Sequence, residues 1–205
     1  MKKALTLIFL TVVTFQAAAD REVLFQGMYL TTSRNHSANG TKEKDVVSSA
    51  GLNVTAFNGV TDTLGLFTTV SLLLPVTYQA EQNGQELPVS IDDYDDMRGS
   101  VDLLFGPGLK FGKGPVGFLI GGGLHMNAVA LVSETDELDT FFSYDLGAGL
   151  SGTLLFRLTP SINLNVSGMG AWDFWELLRL PDLTKIESFK GGCTWALSAG
   201  AGFSY

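Results

Sequence analysis

The 205-residue chain contains one cysteine, two histidines and six prolines. A single thiol, Cys193, cannot close an internal disulfide, which rules out a disulfide scaffold. Charge is scarce as well. Asp, Glu, Lys and Arg make up 17% of residues, against about a quarter in ordinary soluble domains. What charge there is leans acidic, 21 acids against 13 bases for a net −8. That balance argues against a nucleic-acid binder, which needs a basic stripe. Beyond the N-terminus no apolar run approaches the roughly 18–20 residues a membrane-spanning helix requires.

The N-terminus reads as an export signal. Lys2 and Lys3 form a basic start, Ala4 to Phe15 an apolar stretch broken only by threonines, and Ala17-Ala18-Ala19 a small-residue cleavage site. Residues 1–19 are therefore expected to be a signal peptide and residues 20–205 a single domain. Without Lys2 and Lys3, 21 acids face 11 bases, a formal charge of −10.

That domain alternates with period two, the pattern of strands with one apolar face. From Cys193 the odd positions read Cys, Trp, Leu, Ala, Ala, Phe, Tyr, while Thr194, Ser198 and Ser204 fall among small residues at the even ones. Thirteen alternating residues exceed a usual soluble strand and match a tilted barrel strand. The phase recurs in Val116 to Val132, Phe142 to Phe156, Ile162 to Phe174 and Val101 to Phe111. It is looser in Leu64 to Tyr78, Val46 to Phe57 and Val23 to Thr31, where Val23, Phe25 and Tyr29 are set outward and Gln26 inward. Glycine recurs every few residues, and each would cost a helix about 1 kcal/mol; inside a narrow barrel glycines make room.

Connections alternate in length. Short ones fall at Asn58 to Asp62, Gly112 to Gly114 and Leu158 to Ser161; long ones at Arg34 to Lys44, Gln79 to Asp96, Ser133 to Asp139 and Glu176 to Ser188. Three short and four long connections suit eight strands with both ends periplasmic. Aromatics form two bands. Phe105, Phe111, Phe118, Phe156, Phe203 and Tyr205 lie toward the short turns, while Tyr29, Tyr78, Phe142, Tyr144, Trp172, Phe174 and Trp195 lie toward the long loops, as interface girdles should. The fold expected is all-β, an eight-stranded antiparallel up-and-down transmembrane β-barrel.

With the Ala17-Ala18-Ala19 signal end, eight alternating segments and terminal Phe203-Ser204-Tyr205, the chain resembles small outer-membrane barrels of the OmpX and opacity-protein type. The likeness is architectural and carries no family-specific motif. It implies an outer-membrane location, lipid around the barrel, recognition of Phe203 and Tyr205 by the barrel-assembly machinery, and a monomer that binds a host or envelope ligand at its loops. Separately, Glu22-Val23-Leu24-Phe25-Gln26-Gly27 resembles a protease site used in engineered fusions. Met28 stands where its proline would follow, and the segment fits a first strand directly after the signal, so the likeness is read as coincidence.

Counting across the turns places inward-facing Asp102, His125, Asp145 and Asp173 at similar height on four successive strands, with Arg98 nearby. Three roles compete for the cluster. It could be a polar plug, since an eight-stranded lumen is just wide enough to be filled by side chains. It could bind a cation or proton. It could be catalytic through His125, although no motif supplies a serine nucleophile. The external acids Glu81, Glu86, Asp92, Asp93, Asp95 and Asp96 form the other candidate surface. Asp92 to Asp96 lacks the glycine and spacing of a calcium loop, so no metal or other cofactor is expected. The functions this supports are non-enzymatic ligand binding or an envelope structural role, then a narrow transport barrel, then a lipid-modifying enzyme.

Overall fold

The computed structural model describes residues 21–38, 41–94, 96–133, 141–180 and 189–205; the expected signal segment lies outside them. Eight long strands run in sequence order: β1 (Arg21–Ala38), β2 (Thr41–Gly59), β3 (Leu64–Gln82), β4 (Met97–Phe111), β5 (Val116–Val132), β6 (Phe141–Arg157), β7 (Ile162–Leu180) and β8 (Phe189–Ser204). Each pairs antiparallel with its sequence neighbours, and β8 returns to β1 from Glu22↔Ser204 to His36↔Phe189. The sheet closes on itself, and the barrel is up-and-down.

Alternation divides the two surfaces as expected. On β1, Phe25 and Tyr29 face outward, while Glu22, Leu24, Gln26 and Met28 are buried inside. The look-alike cleavage segment thus lies within a strand paired on both sides. Leu52, Leu72, Leu150, Val166 and Leu197 form an exposed apolar exterior. Water cannot be the solvent of so continuous an apolar wall; lipid can.

The strands overrun the expected loops. Residues 34–38 and 41–44 pair as strand up to Ala38↔Thr41, and β7 continues to Leu180. Above the membrane the outward positions Ser33, Asn35 and Ser37 are polar, so the apolar alternation that marks a strand fades there while the ladder continues. Residues 134–140 and 181–188, the cores of two expected loops, lie outside the described residues.

Two bulges re-aim side chains. Val76 is skipped between Ser48↔Thr77 and Ser49↔Pro75, which turns Tyr78 inward, where it is buried. The expected place of Tyr78 in the outer girdle is therefore wrong: an extra residue in one strand inverts the phase beyond it. On β7, Phe174 is skipped between Leu146↔Trp175 and Gly147↔Asp173. Phe174 and Trp175 both face outward, and Glu176 turns into the lumen.

Beside the first bulge the barrel wall is thin. The β3–β4 ladder ends at Leu73↔Ser100, although β3 pairs with β2 as far as Gln82. Pro75 lacks the N–H a ladder needs. Above that point β3 pairs with its own hairpin instead, through Asn83 and Gly84 at φ 54° and 80° and the pairs Glu81↔Glu86 and Gln82↔Gln85.

The lumen is filled in bands. Midway, Gln26 donates to Asn165 Oδ1 at 2.7 Å and Ser167 Oγ at 2.6 Å, and accepts from Asn53 Nδ2 at 2.6 Å. An apolar cluster including Leu30, Phe57, Phe67, Leu73, Leu104 and Leu119 packs around it. Phe67 fits only because Gly121 faces it: a Cβ there would lie 2.0 Å from the ring.

Candidate functional site

Above these bands seven of the eight strands, all but β3, contribute to one polar, charged layer. His125 on β5 is its centre. Nδ1 lies 2.6 Å from Asp173 Oδ1 and Nε2 lies 2.7 Å from Asp102 Oδ2, with all three side chains fully buried. Thr194 Oγ1 donates to Asp173 at 3.1 Å. Gly147 leaves the space Asp173 occupies, since a Cβ there would lie 2.5 Å from Asp173 Oδ1. Beside this triad Arg34 Nε pairs with Asp145, and its Nη2 donates to Asn127 Oδ1 at 2.9 Å. Ser143 Oγ donates to Asp145 at 3.1 Å. His36 lies 3.2 Å from Asp45 Oδ2 and 3.1 Å from Glu176 Oε2.

Four of the five residues expected to cluster do so. His125 bridges Asp102 and Asp173, and Asp145 adjoins them through Arg34 and Asn127. Their pairing differs from simple counting across turns. His125 stands opposite Leu104 and Gly147, and Asp145 opposite Glu176, because the β4–β5 pairing centres between Gly114 and Pro115 and the β7 bulge shifts the other row. Arg98 does not belong. It is half-buried at the start of β4, and among the described residues it forms no ion pair with Asp102, Asp145 or Asp173. The cation there is Arg34, from a segment read as loop. Arg34 and His36 continue the inward phase of Gln26 and Met28, and that spacing was the available signal.

An apolar roof covers the layer. Tyr78, Val47, Ala80, Val129, Leu131 and Phe141 pack with Ile91 and Tyr94. The Tyr78 ring centroid lies 5.6 Å from Tyr94 and 5.5 Å from Phe141. Ile91 and Tyr94 come from the segment after β3, folded by a short turn, Ile91–Asp93, whose Ser90 N–H donates to Asp93 Oδ2 at 2.6 Å. The external acids thus divide. Asp93 shapes the turn, Glu81 pairs with Lys44 at 3.6 Å, Glu86, Asp92 and Asp96 are exposed, and Asp95 lies outside the described residues.

The short-turn end has different chemistry. Fully buried Glu22 lies 2.7 Å from Lys110 Nζ and accepts from Ser204 Oγ at 2.6 Å and Asn163 Nδ2 at 3.2 Å. Arg157 Nη1 donates to the carbonyls of Gly112 and Gly114, both at 2.8 Å. On the exposed rim, the hydrogen bond from Lys113 Nζ at 2.7 Å holds the Asp62 carboxyl below its usual pKa. Phe203 faces outward on β8, and Tyr205 is exposed just past its end.

An imidazole facing two carboxylates can bond both by donating from both nitrogens, or by donating from one while a protonated carboxyl donates to the other. Neither state leaves a nitrogen to receive a proton from a nucleophile. Among the described residues no group of His, Cys, Asp and Glu is arranged to hold a metal ion. The arrangement can fill the lumen and fix the strands.

No protein-family model matches the sequence, and no curated protein matches it. Solved structures do. The outer-membrane protein OprG from Pseudomonas aeruginosa superimposes with a TM-score of 0.57 at 11% identity, covering 92% of this chain and 96% of that one. The outer-membrane protein AlkL in lipid bilayers gives 0.51 at 14% identity, over 92% and 90%. Neisserial surface protein A gives 0.47 at 14% identity, over 87% and 96%. The likeness is one of fold. The chain is a small outer-membrane-type β-barrel.

Proposed function

We propose that this barrel is a monomeric, non-enzymatic outer-membrane scaffold that presents its long-loop end to a ligand, host molecule or envelope component. The filled lumen carries the reading. Among the described residues the buried charged layer and its apolar roof occupy the barrel axis, which disfavours axial transport and makes the exposed outer rim a surface available for binding. Rigid scaffolds commonly carry function on such loops. The same layer argues against catalysis, because both nitrogens of His125 already face carboxylates. Phe203 and Tyr205, at the lipid-facing end of β8, suit recognition by the assembly machinery.

The test must spare the roof. Deleting residues 81–96 would remove Ile91 and Tyr94, so we neutralise the exposed acids instead, as Glu86→Gln, Asp92→Asn and Asp96→Asn together. The barrel in lipid vesicles is then tested against immobilised extracellular-matrix proteins. Wild type should bind at least one partner, and the triple variant should bind it at least ten times more weakly. Equal binding by both, or none by either, contradicts the reading. Lipid profiles of cells carrying His125→Ala should match those of wild type.

The thin wall favours a second reading. Between Leu73↔Ser100 and the rim, β3 and β4 share no ladder beside the apolar roof, and parting of that seam would give small apolar solutes a route toward the outer leaflet. A disulfide across the seam, Leu74→Cys with Gly99→Cys, should slow uptake of an apolar dye into vesicles if solutes pass there. Unchanged uptake would exclude the route.

A further inference from the structure

The acids of this acidic chain gather toward its long-loop end. At the short-turn end the described charged side chains are Arg21, Lys110, Lys113 and Arg157 against Glu22 and Asp62, a net excess of two positive charges. A cavity of about 680 Å³ opens there, with Asp62, Lys110, Lys113, Arg157, Thr159 and Ser161 in its lining. That volume falls within the usual range for small-molecule sites.

Arg157 distinguishes this cavity from a merely charged rim. Two backbone carbonyls hold its Nη1, which fixes the plane of the guanidinium. Its Nη2 forms an ion pair with the buried Glu22 Oε1 at 3.8 Å, a separation too long for a hydrogen bond. That edge therefore keeps donor capacity. A rigid planar fork with unused donors matches the oxygens of a carboxylate or phosphate. Thr159 and Ser161 line the same cavity, the Thr159 Oγ1 accepting from the Ser161 and Ile162 N–H groups, and Lys113 adds charge at the mouth. Asp62, paired with Lys113, offsets part of that charge.

We propose that this vestibule, on the periplasmic side in barrels of this fold, binds a small oxyanion, a carboxylate or phosphate group seated on the Nη2 edge of Arg157. The experiment titrates inorganic phosphate and citrate, in separate arms, into the full-length mature barrel in micelles, read by calorimetry at low salt with chloride as control. Saturable one-site binding of either anion is expected. Arg157→Gln should weaken it at least tenfold, Lys113→Gln several-fold, and Asp62→Asn should tighten it. The last two positions lie on exposed turns, so they remain decisive if Arg157→Gln perturbs the fold. Absence of saturable binding, or binding indifferent to Lys113→Gln and Asp62→Asn, overturns the proposal. The stronger arm identifies the anion class.

Discussion

The two ends of the barrel solve the same problem in opposite ways. Each must finish a narrow polar lumen. Toward the long loops the lumenal charges are completely buried, with Arg34 on Asp145 and His125 between Asp102 and Asp173, and are roofed by Tyr78, Tyr94 and Phe141. The short-turn end leaves Arg157 and Lys113 at an open cup. Buried ion pairs are weak net stabilisers but costly to break from one side, whereas exposed pairs contribute little. Substitutions should therefore be punished in the buried upper layer and tolerated at the exposed Asp62–Lys113 pair of the lower rim.

The largest effect should come from Arg34→Ala. It strands Asp145 in a water-excluded layer and should cost about 3–5 kcal/mol, seen as a lower urea midpoint in micelles. Arg34→Met with Asp145→Leu should recover most of that loss; no recovery would mean the pair does more than neutralise itself.

Next comes Gly121→Ala, which drives a methyl into the Phe67 ring and should cost about 1–3 kcal/mol by overpacking. Phe67→Leu in the same chain should relieve it. A neutral Gly121→Ala would show that the lumen is looser than the bands described.

At the lower end, Glu22→Gln keeps the acceptor for Ser204 and Asn163 while removing the charge facing Lys110. It should cost less than Arg34→Ala in the same denaturation assay, because Lys110 and Arg157 line the open cavity whereas Arg34 is fully enclosed. A loss equal to that of Arg34→Ala would erase the contrast between the ends.

Much of this was legible in the residues and some was not. Alternation revealed the strands wherever one face meets lipid, as in β8, and the turn after Leu158 fell where expected. It failed at Arg34 to Lys44, because strands standing in water lose the apolar face that makes them visible. It failed for Tyr78 and Glu176, because a bulge leaves no mark in periodicity beyond the phase slip it causes. Pro75 and the Asn83-Gly84 pair were local clues to the first bulge and its hairpin. The cluster around His125 was found because four polar residues shared the inward phase at similar counts from the turns; Arg98 was misassigned because count alone cannot show side-chain reach.

The smallest effect belongs to Asp62 and Lys113. The folded Asp62 carboxyl titrates below its unfolded value. The pair's contribution is thus present above the unfolded aspartate pKa and fades as pH falls through the lower folded value. Lys113→Gln should abolish that acid-side change, and high salt should mask it. An equal acid loss in Lys113→Gln would assign it to other carboxylates.

The most direct measurement is conductance of the purified barrel in planar lipid bilayers. The filled lumen predicts no current steps above the bare membrane at neutral pH, whichever end faces the voltage. Reproducible, protein-dependent channels would show an open axial path past His125 and Arg34, and would contradict the account.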